Sequence, residues 1–81
     1  MRISYKKLWL TLVEKEISPA TMRKDLNIAS GTMAKLRKNE EVAMSVLLRI
    51  CDYLDCNIGD VCDAINIDID KFIVTKPQFK N

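Results

Sequence analysis

The chain contains no histidine and only two glycines, Gly31 and Gly59, among its 81 residues. Without histidine it lacks the commonest general base and the commonest metal ligand. Two separated glycines cannot build the glycine-rich loop that cradles phosphate groups, and no nucleophile elbow occurs. Asp60 and Asp63 are three residues apart, a spacing typical of a solvated helix face. We therefore expect neither an enzyme nor a cofactor.

Cysteine is also scarce, and Cys51, Cys56 and Cys62 follow the spacing C-x4-C-x5-C. Zinc sites usually combine CxxC pairs or histidines, so this pattern predicts no metal site. Cys51 and Cys62 fall at apolar positions and are expected to be small core residues. Cys56 lies in a break between helices and is expected to be the most exposed thiol, which leaves a redox role open as the alternative.

Long hydrophobic runs are missing too, although 48% of the residues are hydrophobic. No run approaches the roughly 20 residues that cross a bilayer. Charged residues interrupt positions 1–16, where a signal peptide would lie. The composition argues against disorder and predicts one folded domain in the cytoplasm.

The most informative segment is SPATMRKDLNIASGTMAKLRK, residues 18–38, which is typical of two short helices joined by a tight turn. Ser18 can cap the first helix, with Pro19 in its first turn. Asn27 marks the turn because asparagine tolerates a positive φ. Ile28 follows as the apolar anchor of the turn.

The second helix of this pair, at about 29–38, has two different faces. Met33 and Leu36 are spaced to point inward. The opposite face is small, polar and basic, and it consists of Ser30, Gly31, Ala34, Lys35 and Lys38. Such a face on the second of two helices is typical of proteins that read DNA in the major groove. A helical hairpin in any small bundle is the plain alternative.

Charge is unevenly distributed along the chain, although the formal net charge is only +2. Residues 1–38 carry nine Lys or Arg against three Asp or Glu, whereas residues 39–70 carry one Arg against eight acids. The candidate reading helix thus belongs to a basic half, and concentrated positive charge favours phosphate binding. An accidental asymmetry of a solvated surface is the alternative interpretation.

Three further helices are predicted around this pair. The first runs from about Tyr5 to Lys15, is capped by Ser4, and buries an apolar stripe of Tyr5, Leu8, Trp9, Leu12 and Val13. The second covers 44–54, with its inward positions at Leu47, Ile50, Cys51 and Leu54. The last is short, is capped by Asn57, and carries Ile58, Val61, Cys62 and Ile65. The expected fold is all-α, a compact five-helix domain over residues 1–65.

The runs YKKLW, TMAKLRKNE and VLLRICDYLDCNIGDV resemble those of small single-domain members of the Cro/C1-type (XRE) helix-turn-helix family, which includes phage repressors and their bacterial relatives. The resemblance covers about residues 4–65. It implies a lambda-repressor-like DNA-binding domain. It also implies sequence-specific binding of double-stranded DNA, usually as a dimer that controls transcription.

Carried over position by position, the resemblance assigns base reading to Ser30, Gly31, Ala34 and Lys35. Lys35 would reach guanine O6 and N7, and Ala34 would meet a thymine methyl group. Phosphate contacts suit three further residues, which are Thr32, Arg37 and Lys38. Family members commonly place Ser or Thr where Ala29 stands, so we expect Ser30 to cap the reading helix instead.

The C-terminal tail, residues 66–81, lies beyond this resemblance. Ile65, Ile67 and Ile69 alternate with polar residues, which predicts a strand, while the helical spacing of Ile69, Phe72 and Ile73 is the competing interpretation. The rest of the chain offers such a strand no partner. Residues 66–74 are therefore expected either to pair with a second copy or to fold back over the helices. Residues 75–81 are expected to be frayed.

Together these observations favour a dimeric, DNA-binding transcriptional regulator, specifically a repressor, with no membrane or small-molecule partner. The alternative is a protein-interaction module, such as an antitoxin or a component of a larger complex. Its working surface would be the acidic stretch of residues 39–70.

Overall fold

Four α-helices, one 3-10 turn and a two-stranded antiparallel sheet form the computed structural model, which describes residues 1–66. In chain order the elements are β1 (Arg2–Ser4), α1 (Lys6–Glu14), α2 (Pro19–Leu26), α3 (Ser30–Arg37), α4 (Met44–Leu54), the 3-10 turn (Ile58–Asp60) and β2 (Asp63–Ile65). The predicted helical architecture is confirmed for the first four helices. None of the helices in residues 1–66 is long and apolar enough to cross a membrane.

The prediction of a fifth helix is wrong, because that segment makes only a single 3-10 turn before it becomes extended. Asn57 caps this turn reciprocally with Asp60, whose carboxylate accepts the Asn57 N–H at 3.1 Å. Val61 is buried after the turn, whereas Ile65, the last apolar position of the predicted helix, lies in β2. A three-residue turn cannot carry an apolar stripe across two helical turns.

The partner of β2 is the N-terminal segment β1, in the register Arg2↔Ile65, Ile3↔Ala64 and Ser4↔Asp63. This corrects the expectation that the chain offers a C-terminal strand no partner. Three residues are too few to show strand alternation in a sequence, so β1 left no signal of its own. The strand predicted around Ile67 and Ile69 lies outside the described residues.

One hydrophobic core joins all four helices. Its buried members are Tyr5, Leu8, Leu12, Met22, Ile28, Met33, Leu36, Leu47, Ile50, Cys51, Leu54 and Val61. The predicted stripe of α1 is correct for Tyr5, Leu8 and Leu12, and Trp9 packs against the core while half-buried. The prediction that Val13 is buried is wrong, since its side chain is 74% exposed. The stripe is narrower than its sequence spacing indicated.

Each of the four α-helices is stopped by the same backbone motif without glycine. The residues at the stops, Glu16, Asn27, Asn39 and Asp55, have φ angles of 52 to 59° in the left-handed region. The next residue then donates its N–H to a carbonyl five residues earlier, as Ile17 does to Leu12 at 2.9 Å. This pattern is the Schellman motif, which satisfies carbonyl groups at a helix end and reverses the chain sharply.

Candidate nucleic-acid interface

The helical hairpin is built as the sequence predicts. The hydroxyl of Ser18 accepts the Thr21 N–H at 3.0 Å, and Pro19 occupies the first position of α2, where its missing N–H costs nothing. Asn27 turns the chain with a φ of 54°. Ile28 follows in the core and fixes the entry of the chain into α3.

The two faces of α3 separate as expected. Met33 and Leu36 are buried against the other helices. The candidate reading face is exposed, and it consists of Ser30, Gly31, Ala34, Lys35 and Lys38. Thr32 is half-buried beside it. The structure thus brings all five predicted outward residues onto one solvent-facing surface.

Gly31 has no packing partner within residues 1–66 that would require a glycine. A Cβ atom built at this position would meet nothing within 4 Å, and its φ is not positive. Glycine costs about 1 kcal/mol of helix propensity relative to alanine. Contacts within the described residues therefore do not explain why this position of α3 lacks a side chain.

The start of α3 differs from the prediction. Ala29 occupies the cap position with φ −63° and ψ 148°, and Ser30 is the first helical residue, so Ser30 does not cap the helix. A cap residue must have an extended backbone, and the chain reaches helical angles only at Ser30. The methyl group of Ala29 accepts no hydrogen bond, and α3 begins without a side-chain cap.

Arg37 is attached to α1 through an aromatic ring. Its guanidinium carbon lies 5.6 Å from the centroid of the Trp9 ring, within the range of a cation–π interaction. Lys35 and Lys38, in contrast, form no ion pair with any described residue. The Trp9 ring carries no charge, so all three side chains keep their positive charge, and Arg37 is in addition held in place by the ring.

Tyr5 links the start of α1 to the end of α3. Its backbone N–H donates to Oδ1 of Asn39 at 3.0 Å, and its hydroxyl donates to the carbonyl oxygen of Glu40 at 2.9 Å. Burial raises the pKa of the Tyr5 hydroxyl, which keeps it a donor. This link was missed by the sequence analysis, which treated Tyr5 only as an apolar residue.

Two side chains of α4 hold the end of α2. The guanidinium of Arg49 donates to the carbonyl of Leu26, and the hydroxyl of Tyr53 donates to Oδ2 of Asp25 at 2.5 Å. The hydrogen bond to the Asp25 carboxylate raises the pKa of Tyr53. The sequence signal for this contact is the four-residue spacing of Arg49 and Tyr53, which places both on one face of α4. Neighbouring helices thus fix both the turn between α2 and α3 and the segment that follows α3.

An open cleft of about 960 Å³ separates the end of α3 from the two-stranded sheet. Lys35 and Arg2 contribute to its lining, together with the acidic residues Glu40, Glu41 and Asp63. The lining thus mixes both signs of charge. The cleft also shows that β1 lies next to the C-terminal half of α3, since residues of both line it.

Comparisons with known proteins agree with this geometry. The family model of the Cro/C1-type helix-turn-helix DNA-binding domain matches residues 7–66. The chain is also similar to a crystal structure of transcriptional regulator VanUg (form II), with 42% sequence identity and a TM-score of 0.78. That similarity covers 79% of this chain and 85% of the solved one. A search of the curated proteins found no match.

Proposed function

Because this chain belongs to the Cro/C1-type helix-turn-helix DNA-binding family, we propose that it is a transcriptional repressor that lays α3 in the major groove of double-stranded DNA. The observation that carries the proposal is the exposed face of α3. Its small residues allow a close approach to base edges, and its exposed lysines supply positive charge.

The proposed base readers are Ser30, Gly31, Ala34 and Lys35. Lys35 donates to guanine O6 and N7, and the methyl group of Ala34 contacts that of thymine. Gly31 leaves open space next to the groove, in keeping with the absence of any described atom near its missing Cβ. Thr32, Arg37 and Lys38 bind phosphates, which sets the register of the helix without reading sequence.

The regulator acts as a dimer in this proposal. Residues 1–65 form the DNA-binding domain, and residues 66–74 of the tail provide the contact between two copies. A dimer doubles the number of base contacts and recognises an inverted repeat. The similarity to a solved transcriptional regulator supports the regulatory role.

The first test is binding to mixed-sequence duplex DNA, measured by fluorescence anisotropy at roughly 50 and 200 mM salt. Each neutralised phosphate releases counterions, so about six or more contacts should weaken binding by orders of magnitude between these conditions. Absence of binding at low salt would contradict the proposal. Steep salt dependence would justify selecting the preferred site from a random pool.

A pair of double variants then locates the surface. Lys35→Ala with Lys38→Ala should abolish binding at about 200 mM salt. At lower salt, the slope of log K against log salt concentration should fall by about one for each phosphate that is no longer neutralised. Lys6→Ala with Lys15→Ala removes the same net charge from α1 and its end, and is the matched control. Equal effects of both pairs would mean that only the overall charge matters, and α3 would not be the reading helix.

A protein-interaction module is the second candidate, and an apolar pair on α4 favours it. Met44 and Leu48 lie four residues apart and are 59% and 52% exposed. The segment that contains them, residues 39–66, carries six acids and a single Arg. A protein partner docked there would still bind the Lys35→Ala, Lys38→Ala variant, whereas a DNA duplex would not.

A further inference from the structure

The end of α4 brings two cysteines together. Asp55 has a φ of 52°, the Cys56 N–H donates to the Cys51 carbonyl at 3.0 Å, and the Asp55 N–H donates to Asp52 at 3.3 Å. In Schellman motifs the side chains at the positions of Cys51 and Cys56 frequently contact each other. At the end of α1 the same two positions hold Leu12 and Ile17, an ordinary apolar pair.

Each thiol affects the pKa of the other, as expected for groups that face each other across this chain reversal. Cys51 is buried, at 8% exposure, while Cys56 is half-buried and therefore meets solvent first. From this geometry we propose that Cys51 and Cys56 form a dithiol that closes into an intramolecular disulfide under a peroxide oxidant. The crosslink joins the two sides of a chain reversal that the backbone hydrogen bond between Cys56 and Cys51 already closes.

Cys62 is not part of this pair. It follows the 3-10 turn, and its Sγ donates to the carbonyl of Ile58 at 3.7 Å. No three or more His, Cys, Asp or Glu side chains within residues 1–66 are grouped to hold a metal ion. The arrangement is therefore a pair of thiols with a separate third one.

The reaction balances with peroxide as the two-electron oxidant. The Cys56 thiolate attacks one peroxide oxygen, the O–O bond breaks, and Cys56 becomes a sulfenic acid with release of water. The Cys51 thiolate then attacks the Cys56 sulfur, the S–O bond breaks, and a second water leaves. In total the protein loses two hydrogens and hydrogen peroxide becomes two waters.

The surroundings of the pair make the reaction slow at neutral pH. Burial raises the pKa of both thiols, and the negative charge of Asp60 raises both further. Asp52 and Cys62 add to the rise at Cys51, while Lys15, just after α1, lowers the pKa of Cys56. Because the thiolate is the attacking form, disulfide formation should accelerate as the pH rises.

The test uses the full chain treated with hydrogen peroxide at neutral and alkaline pH, unfolded, and alkylated with N-ethylmaleimide. Cleavage before aspartate separates the three cysteines, because aspartates stand at positions 52, 55, 60 and 63. We expect a mass loss of about 2 Da, one alkylated cysteine, Cys62, and a crosslink between the peptides of Cys51 and Cys56. Reduction should restore three alkylation sites.

Two variants complete the design. Cys62→Ser should still lose two hydrogens, and Cys56→Ser should not. The proposal is overturned if the crosslink involves Cys62, if it joins two chains, or if the thiols gain oxygen without crosslinking. Identification of the crosslinked peptides from the unaltered chain decides between these cases even if the Cys56→Ser variant does not fold.

Discussion

Asn39 performs two tasks at the point where α3 ends. Its backbone adopts a φ of 59°, which asparagine tolerates better than most residues with a Cβ. Its side-chain oxygen accepts the N–H of Tyr5, which would otherwise lack a partner at the start of α1. One residue thus both ends the candidate reading helix and ties it to another element.

These two tasks can be separated by substitution. Asn39→Gly keeps the backbone freedom and loses the acceptor, so we expect a decrease of about 1 kcal/mol in the free energy of unfolding. Asn39→Ala loses the acceptor and also strains the left-handed backbone, for about 2 kcal/mol in total. Urea unfolding monitored by circular dichroism measures both. Equal values for the two variants would show that the backbone conformation carries no strain.

At the scale of the elements, the recurring feature is the helix stop without glycine. All four stops use the left-handed conformation, and two of them place Glu16 and Asp55 there rather than asparagine. A residue with a Cβ is sterically strained in this conformation. The chain thus carries strain that glycine would relieve, most clearly at Glu16, which is exposed.

Glu16→Gly should therefore stabilise the protein by about 0.5–1 kcal/mol, because relief of strain exceeds the extra entropy of glycine in the unfolded chain. Glu14→Gly is the matched control, since it places the same substitution inside the last turn of α1. There it should destabilise by about 1 kcal/mol. Thermal unfolding of both variants gives the comparison. A Glu16→Gly variant that is less stable than the parent chain would contradict this account of the stop.

The elements that local chemistry specifies could be predicted from the sequence. The cap at Ser18, the proline after it, the left-handed asparagine and the apolar spacing of α3 are all signals within one short segment. They gave the hairpin and its outward face correctly. The same holds for α4, whose inward positions are four buried residues.

The elements that depend on distant partners could not be predicted. β1 and β2 are three residues each and exist because residues 2–4 and 63–65 meet across the fold. The hydrogen bonds from Tyr5 to residues 39 and 40, and from Arg49 to residue 26, likewise join segments more than twenty residues apart. Periodicity reports only local order, so such contacts leave no trace in it.

At the scale of the whole molecule, charge and fold act together. Nine of the ten Lys and Arg residues in the described part of the chain precede residue 39, and six of its nine acids follow residue 38. The proposed DNA ligand is a polyanion, and positive charge concentrated in the N-terminal half of the chain favours its approach. In the proposed function, sequence specificity then comes from the few residues on the exposed face of α3.

A single copy of α3 offers few base contacts, which is why the proposed dimer makes a measurable prediction. Once the preferred half-site is known, duplexes can carry it alone, as an inverted repeat with centres about 10 bp apart, or with centres about 15 bp apart. A symmetric dimer places its two reading helices one DNA turn apart. The repeat at about one turn should therefore bind far more tightly than the other two duplexes.

Substitutions then decide which surface joins the copies. Phe72→Asp with Ile73→Asp places two aspartates in the tail, whose residues lie outside those described. Leu48→Asp places one aspartate on the exposed face of α4. If residues 66–74 form the interface, only the tail variant should become monomeric by light scattering and lose the spacing preference. If the Leu48→Asp variant loses the spacing preference and the tail variant keeps it, the interface lies on α4 instead. Equal affinity of the unaltered chain for all three duplexes would exclude a dimeric reader, since spacing matters only when two α3 helices are held at a fixed distance.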